Sequence, residues 1–211
     1  MARKTKTEAE ATREAILEAA VHVFVEKGVA NASLEEIATR AGVTRGAVYW
    51  HFKNKCDVFA ALHDQLFVSF SEMILHELEK NHPHPLQQLK EICIQLLLDL
   101  ETNQRKKDVL TIFFLKCDYS GEMEKFIACQ KEKKLEKYRL FAEYFRRAIE
   151  KGDLPNDADP EILTRVLTCY ITGLAYEYLR HPELFNLKKN ASTLIEHFFT
   201  GFSSGGARAT L

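Results

Sequence analysis

Length, composition and charge limit what this chain can be. Its 211 residues are enough for one or two domains with a sizeable core, and 46% apolar with 28% charged residues is ordinary for a soluble globular protein. No apolar run approaches the roughly 18 residues of a membrane span, and the start MARKTKTEAEATRE lacks the apolar stretch of a secretory signal.

The net charge of −1 does not by itself favour a nucleic-acid partner, but the charges are unevenly distributed. Residues 1–55 carry nine basic and seven acidic side chains. The acids lie mostly between two stretches, Met1–Lys6 and Arg40–Lys55, which contain basic residues and no acid. Because local potential rather than total charge attracts phosphate, these two stretches are candidates for contact with DNA.

Hydrophobic periodicity and capping signals predict an all-α fold with about nine helices. The chain has no Asn-Gly hairpin signal and no sustained alternation of a strand. The predicted helices span residues 8–27, 34–41, 45–51, 55–80, 86–101, 105–117, 122–151, 160 to the proline at 182, and 188–202. We expect a DNA-binding domain in residues 1–55, a larger helical domain in 56–202 joined to it by helix 4, and a disordered tail in 203–211.

Capping signals in residues 33–57 predict three helix starts in quick succession. Ser33 and Glu36 have the spacing of a capping box, and Gly42 follows where a helix end favours positive φ. Thr44 is placed to cap a second short helix, and Asn54 a third. Two short helices joined by a turn with glycine form a helix-turn-helix, whose second helix enters the major groove of DNA.

The second short helix has Val48 and Phe52 as its predicted inward pair. Arg45 lies at its N-terminal end, where a guanidinium can bond O6 and N7 of guanine. Tyr49 and His51 offer hydrogen-bond donors to phosphates, and Lys55 adds positive charge at the start of the next helix. The alternative is an ordinary two-helix turn with its aromatic residues in a small core. The candidate DNA-binding residues, including the basic N-terminal arm, are Lys4, Lys6, Ser33, Thr44, Arg45, Gly46, Ala47, Tyr49, Trp50, His51 and Lys55.

These residues also carry a family resemblance. GVTRGAVYWHFKNK, at Gly42–Lys55, resembles the DNA-binding signature of TetR-family transcriptional regulators, and Thr12–Ala41 resembles the first two helices of that family. MARKTK at the start and LKCDY at Leu115–Tyr119 are similar to the AcrR/TtgR-like subgroup, which represses multidrug efflux-pump genes. The resemblance is strong over residues 1 to about 60 and weak beyond. It implies a cytoplasmic protein.

Helices 8 and 9 are apolar on more than one face, which indicates a helix that is central or shared with a partner. The resemblance implies that these helices pair with their copies in a homodimer. A dimer places two recognition helices on half-sites about 34–36 Å apart, so palindromic double-stranded operator DNA is the expected partner. The candidate interface residues are Val166, Tyr170, Leu174, Tyr178, Ile195, Phe198, Phe199 and Phe202.

The resemblance also implies a pocket for a small-molecule inducer among helices 4 to 8. Eleven of the fourteen phenylalanines follow residue 60, and aromatic walls suit hydrophobic or aromatic ligands. The alternative is that these residues form plain core. The candidate pocket residues are Leu66, Phe67, Phe70, Ile92, Leu96, Leu110, Phe113, Phe114, Cys117, Phe141, Tyr144, Phe145 and Thr172.

Other chemistry is poorly supported by the sequence. The five cysteines are odd in number and lack a Cys-x-x-Cys spacing, so we expect buried apolar thiols, with a reactive sensor thiol as the alternative. His82 and His84 flank a proline and predict a loop rather than a metal site. No phosphate loop or catalytic motif is present, so we expect neither an enzyme nor a cofactor.

Together these observations predict a dimeric repressor, of a multidrug efflux operon, that a hydrophobic ligand releases from its operator. Two alternatives remain at this point. One is a nucleoid-associated or division-associated DNA-binding protein without a small-molecule ligand, which a tightly packed second domain favours. The other is an activator that needs its ligand in order to bind DNA.

Overall fold

The computed structural model describes residues 6–184 and 186–203, and describes only the backbone at positions 122, 125, 127–129, 131–134, 202 and 203. The predicted DNA contact of Lys4 lies outside the described residues, as does the predicted tail beyond Ser203.

The described residues form helices and no strand, which confirms the all-α prediction. A short 3-10 helix at Gly121–Met123 precedes the seventh α-helix. The α-helices are α1 (Lys6–Lys27), α2 (Leu34–Arg40), α3 (Arg45–His51), α4 (Lys55–Glu79), α5 (Pro85–Thr102), α6 (Gln104–Leu115), α7 (Glu124–Glu150), α8 (Pro160–Arg180) and α9 (Leu187–Ser203).

The segment between α6 and α7 differs from its prediction. Helix α6 ends at Leu115, before the predicted end at residue 117, and α7 begins only at Glu124. The hydroxyl of Tyr119 donates to the carbonyl of Phe113 at 2.8 Å, and Ser120 N donates to Asp118 Oδ1 at 3.0 Å. These bonds hold a compact turn that replaces helical bonds, and Gly121 supplies a φ of +59°.

The chain divides into two compact units, each made of two segments. The first unit comprises Met1–Val68 and Asp108–Gln130, and the second comprises Ser69–Lys107 and Lys131–Leu211. Helices α4, α6 and α7 each contribute residues to both units.

In the first unit, α1, α2 and α3 pack on one another around one apolar core. Helices α2 and α3 have seven residues each and are too short to be stable alone, so burial of their apolar side chains supplies most of their stability. Residues from α4 and α6 complete this core. Its most deeply buried large side chains are Ile16, Leu17, Phe24, Ile37, Phe59, Leu62 and Ile112.

In the second unit, α5 packs chiefly against α9 and also against α8. As predicted, Asp159 caps α8, since its Oδ1 accepts from Glu161 N at 2.9 Å and Ile162 N at 3.0 Å. His82 and His84 lie in the connection between α4 and α5, where His84 N donates to His82 Nδ1 at 3.1 Å. This arrangement agrees with the loop prediction.

Helix α4 is long and apolar enough, by length and composition alone, to cross a membrane. The core helices of soluble proteins pass the same test. Val58, Phe59 and Leu62, in the part of α4 that belongs to the first unit, are buried in that unit's core, which accounts for part of the apolar character of this helix.

Candidate functional site

The turn from α1 into α2 is fixed by the predicted capping box. Glu36 N donates to Ser33 Oγ at 3.2 Å, and Ser33 N donates to Glu36 Oε2 at 3.1 Å. The side chain of Glu36 also pairs with Lys27, and these bonds lower the pKa of its carboxyl, with the Lys27 bond contributing most. The start of α2 is therefore tied both to itself and to the end of α1.

The turn between α2 and α3 also follows the sequence prediction. Gly42 has a φ of +66°, which reverses the chain after α2, and Val43 N donates to the carbonyl of Ala38 at 3.1 Å. Thr44 then caps α3, because its Oγ1 accepts from Ala47 N at 3.1 Å. The two short helices are thus joined in the compact geometry of a helix-turn-helix.

Helix α3 presents one face to solvent. Its predicted inward pair, Val48 and Phe52, is buried. Trp50 is 73% exposed and Tyr49 46% exposed, which is unusual for aromatic side chains in a folded domain. The other predicted contact residues on this helix and its cap are exposed at Thr44, Arg45 and Gly46 and half-buried at Ala47 and His51.

Arg45 and Tyr49 interact on this exposed face. The guanidinium carbon of Arg45 lies 5.3 Å from the centre of the Tyr49 ring, which is a cation–π distance. A hydrogen bond to the Tyr49 side chain raises the pKa of Arg45, and the charge of Glu35 adds to this effect. The Arg45 side chain is therefore held over the outer face of α3, where a recognition helix meets base edges.

The remaining predicted DNA contacts have varied surroundings. Lys6 is exposed at the start of α1. The hydroxyl and backbone N–H of Ser33 form the capping box with Glu36, and the residue is still exposed to solvent, where a partner can contact it. Lys55 is half-buried, and its Nζ donates to the carbonyl of Ala30 at 2.6 Å. An ammonium group has three donors, so this bond leaves Lys55 able to contact a phosphate.

A cluster of aromatic rings lies in the first unit, on α4, α6 and α7. The His63 ring centre lies 4.1 Å from that of Phe67, 5.3 Å from that of Phe113 and 5.0 Å from that of Phe126. Phe59 packs edge-on against Phe113 and Phe126, at 4.9 Å in each case. We call these five residues the aromatic cluster.

Sequence reasoning predicted Phe67 and Phe113 in this region but missed His63. The signal was available, because His63 lies four residues from both Phe59 and Phe67 on α4 and so shares their face. A histidine among phenylalanines gives an otherwise apolar site one group that can form hydrogen bonds.

The other candidate pocket residues fall in both units. In the first unit, Leu66, Leu110, Phe114 and Cys117 are half-buried. In the second unit, Ile92, Phe141, Tyr144 and Phe145 are buried, and Phe70 and Leu96 are half-buried. Thr172 is exposed on α8, because that side of the helix does not contact the core of its unit.

The structure changes which residues of α8 and α9 are available to a partner. Tyr178, Ile195 and Phe199 are buried in the chain's own second unit, and Tyr170 donates to the carbonyl of Leu194 at 2.8 Å. Phe198 stacks on Tyr170, Leu174 is half-buried, and the side chain of Phe202 lies outside the described residues. The exposed apolar stripe of α8 consists of Ile162, Val166 and Cys169.

The fold and the exposed face of α3 can now be compared with known proteins. Residues 16–62 match the family described as bacterial regulatory proteins, tetR family. Residues 84–203 match the C-terminal region of MAATS-type transcriptional repressors. The chain belongs to the TetR family of bacterial transcriptional regulators.

Similar proteins match this TetR-family chain over about nine-tenths of its length. It is 39% identical over 191 residues to the HTH-type transcriptional regulator AcrR of Shigella flexneri, covering 90% of this chain and 89% of AcrR. The crystal structure of NalD, the secondary repressor of the MexAB-OprM multidrug efflux pump in Pseudomonas aeruginosa, is 34% identical, with a TM-score of 0.76 over 93% of this chain and 98% of NalD. SmeT of Stenotrophomonas maltophilia, in complex with triclosan, is 32% identical, with a TM-score of 0.82 over 93% of each chain.

The family assignment confirms the resemblance and the helix-turn-helix fold predicted from the sequence. The chain is a DNA-binding transcriptional regulator. Two of the similar proteins, NalD and SmeT, are repressors of multidrug efflux pumps.

Proposed function

We propose that this protein represses a multidrug efflux operon and leaves its operator when a hydrophobic small molecule binds. The observation that carries the proposal is the solvent-exposed face of α3, with Arg45, Tyr49 and Trp50 unburied on a helix whose other side is fixed in a core. The roles of NalD and SmeT as efflux-pump repressors support the choice of regulated gene. Because regulators of this kind act on chromosomal DNA, the protein works in the cytoplasm.

The operator is double-stranded and palindromic, and a homodimer binds it. The apolar stripe of Ile162, Val166 and Cys169 on α8 supplies a surface for the second copy, since large apolar side chains exposed along one helix face favour burial by a partner. Changing Val166 to Glu places a charge on this stripe. We expect sedimentation to show a shift toward monomer and the operator affinity to fall with it.

The inducer is apolar or aromatic and contacts the aromatic cluster. Rings in edge-to-face contact form an apolar wall, and His63 adds a group that can hydrogen-bond to a ligand. The triclosan bound by SmeT is a ligand of this chemical class. A ligand shifts the protein from its DNA-binding state only by as much as its affinity differs between the two states.

The substitution Phe114→Asp tests the inducer site. Phe114 is half-buried on α6, next in sequence to Phe113 of the aromatic cluster, so a carboxylate there keeps contact with water and places a charge beside the proposed inducer site. We expect a folded variant that binds operator and no longer responds to triclosan. Val68→Asp, at an exposed position on α4, is the matched control and keeps the response.

Two outcomes of this test contradict the inducer site. An unfolded Phe114→Asp variant, seen by circular dichroism, indicates plain core. A folded variant released by the wild-type concentration of triclosan removes α6 from the inducer site. The activator alternative predicts the opposite sign, namely that triclosan tightens operator binding, and a nucleoid protein shows no effect of triclosan at all.

A further inference from the structure

The side chain that is expected to read a base pair, Arg45, is long and lies on the exposed side of α3. An arginine side chain has many rotamers in water, and fixing them when DNA binds costs free energy. A contact within the free protein that already holds the guanidinium reduces this cost, because the ordering is then complete before DNA arrives. The neighbours of Arg45 on α3 therefore bear on how well it recognises a base.

Tyr49 supplies such a contact from the next turn of α3. Residues four positions apart lie on the same side of a helix, and helical side chains lean back toward the preceding turn. The guanidinium carbon of Arg45 lies 5.3 Å from the centre of the Tyr49 ring. A hydrogen bond to the Tyr49 side chain raises the pKa of Arg45, which agrees with this contact. We call the two side chains the Arg45–Tyr49 pair.

The Arg45–Tyr49 pair is open to a partner on one side and firmly supported on the other. Tyr49 is 46% exposed, so the core does not account for the position of its ring. Gly46, which follows Arg45, adds no side chain, and a Cβ there would meet Thr44 Oγ1 at an ordinary 3.9 Å. The buried side of α3, with Val48 at 0% exposure, fixes the helix that carries the pair.

A phosphate contact alone does not require this pairing. From the sequence, Tyr49 was expected only to donate a hydrogen bond to phosphate, a role that strengthens binding to any duplex. That role uses the hydroxyl and is independent of Arg45. A ring that contacts the guanidinium acts through Arg45 instead, so its effect depends on the base pair that Arg45 meets.

We propose that Tyr49 is a positioning residue for base recognition, whose ring holds the Arg45 guanidinium in the orientation that reads one base pair in each half-site. A planar guanidinium that contacts a ring with its face keeps N–H donors at its edge, and two of these match O6 and N7 of guanine. Tyr49 thus contributes to sequence preference without touching the base. The inference rests on the proposed function, because it requires Arg45 to contact the operator.

The test measures how the two residues depend on each other. An operator is selected from a random duplex pool with the wild-type protein, and each base pair of a half-site is then replaced in turn. Fluorescence anisotropy identifies the base pair that the wild type discriminates and Arg45→Ala does not. We expect Tyr49→Leu, which removes the ring, to lower the preference at this base pair by about two- to fivefold, as for loss of an exposed cation–π contact.

Three further variants isolate the effect of the ring. In the Arg45→Ala background, we expect Tyr49→Leu to cause no further loss of preference, since no guanidinium remains to be positioned. Tyr49→Phe keeps the ring and is expected to keep most of the preference, even where loss of the hydroxyl weakens binding to all duplexes. Lys55→Ala is the matched control background, because Lys55 is anchored at the carbonyl of Ala30. There, Tyr49→Leu is expected to lower the preference by the same factor as in the wild type.

Three results overturn the proposal. Equal weakening of Tyr49→Leu on the operator and on the substituted duplexes shows a phosphate contact alone. The same loss of preference with and without Arg45 shows that Tyr49 does not act through it. A loss of preference in Tyr49→Phe as large as in Tyr49→Leu assigns the effect to the hydroxyl. Circular dichroism melting verifies the fold of each variant, and Tyr49→Met replaces Tyr49→Leu if the leucine variant is unfolded.

Failure of the positioning role can be told apart from failure of the proposed function. If Arg45→Ala discriminates every base pair as the wild type does, Arg45 reads no base, and the role of Tyr49 is refuted with it. Release of the wild-type protein from its operator by triclosan is measured separately and does not depend on either substitution. A protein that triclosan releases, but in which Tyr49 and Arg45 are not coupled, retains the proposed function without this inference.

Discussion

Two glycines with positive φ offer a quantitative test of the structure of the first unit. Gly42 has a φ of +66° and no neighbouring atom within 4 Å of the position of a Cβ. The substitution Gly42→Ala therefore adds backbone strain and no clash. The left-handed conformation costs a non-glycine residue roughly 1–2 kcal/mol, partly offset by the reduced freedom of the unfolded chain, so we expect a loss of about 1 kcal/mol.

Gly28 also has a positive φ, but a neighbouring backbone atom lies close to the position of its Cβ. Its φ is +78°, and a Cβ there would lie 3.3 Å from the carbonyl oxygen of Lys116. That oxygen also accepts the bond from Val29 N, so it cannot move away without lengthening that bond. Weakening a hydrogen bond of about 1 kcal/mol adds to the strain, and we expect Gly28→Ala to cost about 2 kcal/mol in total.

Urea unfolding followed by circular dichroism measures both losses. For a chain of this length, 1 kcal/mol corresponds to roughly 2–4 °C in Tm, so thermal melting resolves the difference as well. The control is Gly201→Ala, in a helix with nothing near its Cβ position, which we expect to be neutral or stabilising. Equal losses for Gly28→Ala and Gly42→Ala refute the contact with Lys116, and a neutral Gly42→Ala refutes the turn geometry.

Three further predictions concern the DNA-binding surface. Arg45→Ala is expected to cost about 1–3 kcal/mol on the operator and to relax specificity at one base pair per half-site, measured by anisotropy on operator and random duplexes; equal weakening on both indicates a phosphate contact. Lys55→Ala is expected to lower the salt slope of binding by about one, and an unchanged slope removes Lys55 from the phosphate contacts. The pKa of Glu36 is lowered in the folded state, so the stability that its carboxylate contributes is complete above the unfolded pKa and is lost as pH falls through the folded pKa. Glu36→Gln is expected to reduce the fall of Tm at acid pH. An unchanged fall of Tm contradicts the capping box.

The local structure of the DNA-binding region was predictable because short-range chemistry determines it. The capping box of Ser33 and Glu36, the positive φ of Gly42 and the cap at Thr44 each involve residues within a few positions of one another. Their signals can therefore be read directly from residue type and spacing. The family match then confirmed the helix-turn-helix to which these signals pointed.

The assignments that depend on packing partners were harder to predict. Helix α8 is apolar on more than one face, and only its packing against α5 and its contacts with α9 determine which of its apolar residues are buried. Tyr178 is buried on that account, while Ile162 remains 58% exposed. Thr172, which was predicted to line the pocket, is exposed on α8. The sequence does not show which face of a helix its neighbours cover, so this exposure could not be predicted.

Side-chain contacts between residues that are far apart in the chain could not be predicted from the sequence either. Lys55 was predicted from its position beside the recognition helix, but its bond to Ala30 joins residues that are 25 positions apart. The pairing of Cys56 with Met123 spans 67 positions. No spacing rule connects such residues, because the contact depends on how α1, α4 and α6 pack in the first unit.

The most direct test of the proposed function is the operator affinity with and without an apolar ligand. A binding sequence is first selected from a random duplex pool with the wild-type protein. Its dissociation constant is then compared with that of a scrambled duplex at 150 mM salt, in the absence and presence of triclosan. We predict a preference of roughly a thousandfold or more for the selected palindrome, and its loss when triclosan is added. Equal affinity for the two duplexes, or tighter operator binding with triclosan, contradicts a ligand-released repressor.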